Sequence, residues 1–429
     1  MKTQLVNLKG GAKLLFNRQT EINGVSVVFS FKAGAFNDPK GKLGVAHFLE
    51  HAMYNFPNAE MNRQERFDYS RHFQYSNAYT RQEEMVFVAR VTNEKLEDAF
   101  NFITQPFASV KFSKEEFEEE QKVIRDEIIT RHKSNEALLY YIYLNETIND
   151  KTTKKIISSP AGTLETFNKI KINDLEKFKD DYLTLNNLII TVVGNTTLRK
   201  VKSLVKKYVE TRIKTSNVQG YKLKNPKYNK PAYHFRLAQE KEKGIFEVLY
   251  NLKPLPFNQA IYDEEFITVF LSKILNEMIF NYFRLEKNLC YSCSAFVCNY
   301  DDHLVNIIRI PCGENNLQAV IDCYKDFRSQ LPTDIPKDVY EKFRERILNS
   351  FGFDFSQLDD ISSLCSIIYQ KENKLYSTKY NKIRSEKLKK VTYEDVNEMY
   401  KTLFTVQPHI SIISNNEKFK DLKYQDFKI

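Results

Sequence analysis

Glycine and proline are scarce, 12 of each in 429 residues. So small a share argues against a loop-rich architecture and for long regular elements. Cysteine is scarcer still: six residues, all in the second half, exclude a disulfide framework for so long a chain and predict reduced thiols in a cytosolic protein. No apolar run approaches the roughly 20 residues of a membrane span. Met1 to Arg18 lacks the apolar core of a signal peptide. Nor is any Lys/Arg block long enough for a nucleic-acid patch. The 64 basic and 55 acidic residues are spread along the chain, and the net charge of +9 reads mainly as solubility. Neither nucleic acid nor membrane is an expected partner.

The remaining composition is globular: 42% hydrophobic and 28% charged, with 32 Phe and 25 Tyr to fill sizeable cores. The length asks for two or three domains. Ala12 to Phe16 and Gly24 to Lys32 are rich in β-branched and aromatic residues and predict strands, with Glu21 to Gly24 as the turn. The pattern turns helical from Gly44 to Asn55 and returns to strand over Glu83 to Val91. It then predicts a charged helix from Ser113 to His132, with Ser113 as N-cap. A helix from Ile172 to Tyr182 and a buried strand from Leu188 to Val193 follow. Lys214 to Lys241 is basic and polar, holds Pro226 and Pro231, and suits a linker. The expected division is a first domain at 1–215, a linker at 216–240 and a second domain at 241–429.

The chain also matches itself. A shift of 221 positions lines up Ile170 with Val391, Asp174 with Asp395, Phe178 with Met399, Ile189 with Ile410 and Asn195 with Asn416. A shift of 220 lays Gly24 to Phe29 on Gly244 to Leu249. The expectation is an α+β fold of two homologous halves.

Chemistry concentrates between Gly44 and Met53, where His47, Glu50 and His51 form H-x-x-E-H. At about 100° per helical residue, Glu50 lies at roughly 300° and His51 at roughly 40° from His47, so all three share a face. Val45, Phe48, Leu49, Ala52 and Met53 fall on the opposite, apolar face. Two imidazoles at i, i+4 with a carboxylate beside them suit Zn²⁺ and a water-activating base. A plain surface helix with two of the seven histidines is the bland alternative.

Two histidines leave zinc short of a third protein ligand. In the helix beginning at Lys114, Glu120 and Glu127 share a face flanked by Val123, Phe117, Ile124 and Ile128. Glu115, Glu118, Glu119, Lys122, Arg125 and Asp126 fall on the solvent side. A carboxylate among apolar neighbours needs a partner to stay charged, which singles out both Glu120 and Glu127.

H-x-x-E-H reverses the usual H-E-x-x-H, and with a distant Glu it resembles the inverted zincins, the pitrilysin/insulinase family of metallopeptidases. Gly44 to His51 is similar to that family's G-x-A-H-F-L-E-H. Asn77 and Ala78 with Thr80 match its N-A-x-T on a substrate-binding edge strand. Gly162-Thr-Leu-Glu165, Asp174-Leu175 and Val192-Val-Gly194 recur at the family's places, and Arg284 and Tyr291 stand seven apart as its Arg and Tyr do. Gln74-Tyr75-Ser76 departs from it where glycines are usual, and Asn37-Asp38 matches its acidic residue loosely.

The resemblance implies one Zn²⁺ per chain, held by His47, His51 and Glu127, the last standing 76 residues after His51. Glu50 would be the base, and Glu120 would orient the site from behind the ligands. Asn77 and Ala78 would bind substrate backbone, while Arg284 and Tyr291 would reach the substrate carbonyl and developing oxyanion. The implied protein is a zinc metalloendopeptidase of the single-length bacterial processing-peptidase-like branch, cleaving short unstructured peptides. Each half would be an antiparallel sheet packed with helices, the chain forming half of a clamshell chamber as a homodimer or beside a sister subunit. A non-catalytic scaffold or peptide-binding subunit is the alternative, and the intact ligand set argues against it. Cys290, Cys293 and Cys298 read as structural thiols, Cys290 and Cys293 alternating to opposite faces if they lie in a strand. His72, His132, His234, His303 and His409 read as structural or surface residues.

Overall fold

A computed structural model of the chain describes residues 3–132, 134–135, 138–139, 159–220, 229–254, 260–300, 303–350, 362, 365–366, 369, 375 and 386–427. The side chains of His132, Cys298 and His303 lie outside the described set. Two compact units emerge, and neither is continuous in sequence. One is Met1–Ile129, Lys151–Lys224 and Phe353–Asn381; the other is Thr130–Asp150, Asn225–Gly352 and Lys382–Ile429.

The first unit is built on strands β1 (Gln4–Asn7), β2 (Lys13–Arg18), β3 (Val25–Phe31), β4 (Tyr75–Thr80), β5 (Met85–Val91) and β6 (Leu188–Gly194). They lie in the order β1-β2-β6-β3-β5-β4, antiparallel except for the β2–β6 pair. β3 and β6 are buried along their whole length, and Ser26, Ser30 and Thr191 are the only polar side chains in them. Helices α1 (Val45–Asn55), α2 (Arg63–Ser70), α3 (Leu96–Ser109), α4 (Lys114–His132) and α5 (Ile172–Tyr182) belong to this half. Phe48, Leu49, Phe100, Ile124 and Leu175 of these helices share a core with Val27, Phe29 and Phe31 of β3. On the opposite sheet face, Leu15, Ile189 and Val193 pack against Cys365 and Tyr369. There Ser26 Oγ lies 3.1 Å from Ser362 Oγ and Thr3 Oγ1 3.4 Å from Cys365 Sγ.

The second unit holds β7 (Tyr233–Leu237), β8 (Lys243–Pro254), β9 (Ser294–Tyr300), β10 (His303–Gly313) and β11 (His409–Ser414), in the order β7-β11-β8-β10-β9. Only β7–β11 is parallel. Helices α6 (Ala260–Ile279), α7 (Leu317–Gln330), α8 (Lys337–Ser350) and α9 (Tyr393–Thr405) supply Phe270, Leu275, Tyr324, Phe343 and Tyr400 to one core with Phe246 and Val248 of β8. The other face pairs Ile245 and Ile413 with Leu139. Asn135 fastens that segment: its Oδ1 accepts from Gln239 N at 3.0 Å and its Nδ2 donates to Lys243 O at 3.3 Å.

The internal match is therefore structural. β2-β6-β3-β5-β4 and β7-β11-β8-β10-β9 share order and the place of the parallel pair. Even a helix cap repeats 221 positions on: Asp174 Oδ2 accepts from Lys171 N at 2.8 Å, and Asp395 Oδ2 from Thr392 N at 2.9 Å.

Several elements differ from expectation. Inside the stretch read as a linker, Tyr233–Leu237 is strand β7, its Tyr-His-Phe-Arg-Leu alternation overriding the prolines before it. Upstream of it, Val218 O accepts from Asn186 Nδ2 at 2.9 Å and Gly220 N donates to Asn187 Oδ1 at 3.2 Å; residues 221–228 lie outside the described set. Cys290 and Cys293 lie before β9 rather than in a strand, and both sink into the same core. Among the described residues no helix is long and apolar enough to cross a membrane.

Candidate metal centre

Helix α1 is fixed at both ends. Gly44, just before it, has φ +106°, and a Cβ there would stand 2.5 Å from Ala161 O. Gly162 has φ +74°, and its Cβ would stand 2.2 Å from Leu43 O, so the two glycines let these strands of backbone cross in contact. Asp38 then supplies the cap the helix lacks, accepting from Gly44 N at 2.6 Å and Ala46 N at 2.8 Å. Burial pushes its carboxyl up to about 8, against the pull of those N–H groups. At the far end, buried Arg66 donates to Met53 O at 3.3 Å and Tyr54 O at 3.2 Å. Burial brings its guanidinium down to about 10, still cationic at neutral pH. Asp38 thus satisfies N–H groups at the N-terminus, and the Arg66 cation at the C-terminus complements the helix dipole.

Val45, Phe48, Leu49, Ala52 and Met53 of α1 are buried, as the apolar face requires. The other face meets α4. There Ser113 Oγ accepts from Glu116 N at 3.2 Å, the expected N-cap, and Phe117, Ile124 and Ile128 are buried. Val123 is not: it is 50% exposed, because the Glu120–Glu127 strip runs along the rim between core and solvent.

His47, His51 and Glu127 each bring one ligand-type atom within 4.8 Å of the others. His47 Nε2 lies 3.7 Å from Glu127 Oε1, and His51 Nε2 lies 3.5 Å from Glu127 Oε2. Tetrahedral zinc with bonds near 2.0–2.1 Å would space its donors by about 3.3 Å. Each imidazole nitrogen is close to that distance from one oxygen of Glu127, and with all three residues offering ligand atoms within 4.8 Å of one another, a modest contraction would seat such an ion. Glu50 is buried beside them, its Oε2 4.0 Å from His47 Nε2 and accepting from Thr80 Oγ1 at 3.3 Å.

Glu120, 1% exposed, lies behind the ligands. Its Oε1 is 2.8 Å from His51 Nδ1 and accepts from Asn55 Nδ2 at 3.3 Å, while Oε2 accepts from Arg63 Nη2. Burial works against its charge, but His51 and Arg63 hold the carboxyl below its ordinary range. Burial likewise opposes a charged His51, yet hydrogen bonds to Glu120 and Glu127 and the charge of Glu50 raise it to about 9. A proton thus sits where a cation fits, and a metal ion would displace it.

Asn77 and Ala78 lie on β4, which pairs with β5 and forms the outer strand of its sheet. Asn77 is exposed, donating from Nδ2 to Tyr75 Oη at 3.0 Å. Ser76, on the α1 side, meets Tyr54 Oη at 2.6 Å. In the second unit, Arg284 sits on a π-helical turn, Phe280–Glu286, continuing α6. It donates to Asn288 Oδ1 at 2.7 Å and stands 5.8 Å over the ring of Tyr291, which is 87% exposed. Thr80 entered only through the N-A-x-T match, with no role towards Glu50, and Arg63, Asn55 and Arg66 were not singled out from the sequence at all. Their partners are distant in sequence, and no local spacing marks them.

Two family profiles match the chain: that of insulinase (peptidase family M16) over residues 14–161, and that of the peptidase M16 inactive domain over 169–345. A Bacillus subtilis relative described as an uncharacterized zinc protease, YmxG, is 22% identical over 413 residues, covering 95% of this chain and 97% of its own. A crystal structure of a protease from Helicobacter pylori has TM-score 0.78 at 18% identity, covering 96% of this chain and 99% of its own. The first half of the periplasmic protease PqqL from Escherichia coli has TM-score 0.80 at 16% identity, covering 100% of this chain and 95% of its own. With both profiles in sequence order along three quarters of its length, the chain belongs to the insulinase peptidases, family M16.

Proposed function

We propose that this protein is a zinc-dependent endopeptidase acting on short, unstructured peptides. The observation that carries the reading is the convergence of His47, His51 and Glu127 beside the buried carboxylate of Glu50. His47, His51 and Glu127 would hold the ion, which when bound polarises the scissile carbonyl and lowers the pKa of a water. Glu50 takes the proton of the attacking water and returns it to the leaving amine. Thr80, hydrogen-bonded to Glu50, keeps that carboxylate aimed. Glu120 holds the His51 ring through Nδ1, leaving Nε2 for the metal. The substrate backbone lies along the free edge of β4 at Asn77 and Ala78. Arg284 and Tyr291, already paired with each other, supply a cation and a phenol for the substrate carbonyl and oxyanion. A second copy of the chain or a sister subunit is the partner the reading calls for, besides the peptide.

One observation favours a different reading. The profile matching 169–345, which carries Arg284 and Tyr291, is described as an inactive domain, as suits a non-catalytic peptide-binding subunit. Mass spectrometry of mixed unstructured peptides incubated with the purified protein, with and without a zinc chelator, separates the two. Cleavage that the chelator stops is expected. Glu50→Gln should keep bound zinc and lose at least about 10²-fold in rate. Cleavage that survives chelation or this substitution would overturn the mechanism.

A further inference from the structure

We infer that Arg63 is a positioning residue for the metal centre: acting through Glu120, its guanidinium fixes the His51 ring for metal binding. The inference rests on the zinc reading above. Arg63 is the first residue of α2, directly after Asn62, whose Oδ1 accepts from Glu65 N at 2.9 Å while Glu65 Oε2 accepts from Asn62 N at 2.8 Å. A cation at that position meets the positive end of the helix dipole, so forming α2 does not favour it. Carboxylates of α4 hold it instead. Nη1 lies 3.4 Å from Glu116 Oε2 and 3.8 Å from Glu119 Oε2, and Nη2 donates to Glu120 Oε2.

The contact with Glu120 differs from the other two. Glu119 is open to water and Glu116 partly so, but Glu120 is almost wholly buried. Its two oxygens are divided: Oε1 serves His51 Nδ1 and Asn55 Nδ2, and Oε2 serves Arg63. A carboxylate held at both oxygens cannot swing about its terminal torsion, so the His51 ring is locked with Nε2 towards His47 and Glu127. Without Arg63, Oε2 loses its donor in a buried place, and Glu120 gains a reason to turn from His51.

The test uses the full-length protein, stripped of metal and titrated with Zn²⁺ against a chromophoric chelator, with no peptide present. Arg63→Met should weaken zinc binding by about tenfold. Arg63→Lys should restore part of the loss, since it keeps the charge without the planar fork. In an Glu120→Gln background, Arg63→Met should cost little more, because both substitutions break the same chain of contacts. Glu116→Gln, which removes a partner of Arg63 outside that chain, should leave zinc affinity unchanged. Wild-type affinity in Arg63→Met overturns the inference, as does a full additive loss in the double variant. A loss in Glu116→Gln as large as in Arg63→Met makes the arginine a mere tether between α2 and α4, and overturns it too. If the wild-type protein takes up no zinc, the metal reading falls first and this inference with it.

Discussion

His409 shows what burial does to a single titratable side chain in this protein. It is 2% exposed, and its Nδ1 lies 3.2 Å from Nε2 of His234, with the rings stacked. Burial chiefly, and then the neighbouring imidazole, push His409 down to about 4. The folded chain therefore binds this proton less readily than the unfolded one. The stability that the neutral ring contributes is complete above pH 6.5 and drains away as pH falls towards 4, by about 3 kcal/mol in all. His409→Gln should flatten that limb, read as the difference in urea midpoint between pH 7 and pH 4.5; an unchanged difference would refute it. At this scale the sequence was uneven. His47, Glu50 and His51 could be named because one pentapeptide marks them, and Glu127 because the resemblance to the insulinase family implies a glutamate at its distance from His51. Glu120 stood out because a carboxylate among apolar neighbours is costly. Arg63 gave no such sign: its helix position argues against a cation, and what keeps it there is a glutamate 57 residues away.

At the scale of elements, α1 depends on residues outside itself. Met53 O cannot receive the usual i+4 donor, since Pro57 has no N–H, and Arg66 supplies one. Arg66→Met should cost about 2–4 kcal/mol, because buried carbonyls lose their donor, and should weaken zinc binding as the His47–His51 face loosens. Thermal melts and zinc titration check both, and a variant as stable as wild type would show that the clamp is idle. Asp38 gives the opposite pH sign from His409. Its raised pKa means that its contribution is complete below about pH 4 and is lost as pH rises through about 8. Asp38→Asn should hold its melting temperature between pH 6 and pH 9 better than wild type does. α1, α4, α5 and β6 were legible because each carries an unbroken period or apolar run. β7 was not, since five residues behind two prolines look like a linker until β11 pairs with them.

At the scale of the molecule, each sheet is finished by chain from the other half of the sequence. Cys365 and Tyr369 cover the first sheet, and Leu139 covers the second. The repeat at 220–221 positions foretold two similar halves, but not this exchange, because covering segments leave no periodic mark on the strands they cover. Residues 1–224 expressed alone should expose Leu15, Ile189 and Val193, bind a hydrophobic dye and aggregate. Co-expression of residues 225–429 should rescue solubility, and a monomeric, well-folded fragment would contradict the exchange.

The same exchange sets a clock on synthesis. Thr3 meets Cys365 across 362 positions, so the strands of the first sheet leave the ribosome well before the segment that covers them. From Lys224 to Asn381 a ribosome adding about 5–20 residues per second needs on the order of ten seconds or more. Throughout that interval the first sheet has one apolar face without its cover. A nascent chain of this protein should therefore bind holding chaperones, and slowing translation beyond Lys224 should lower the yield of native protein.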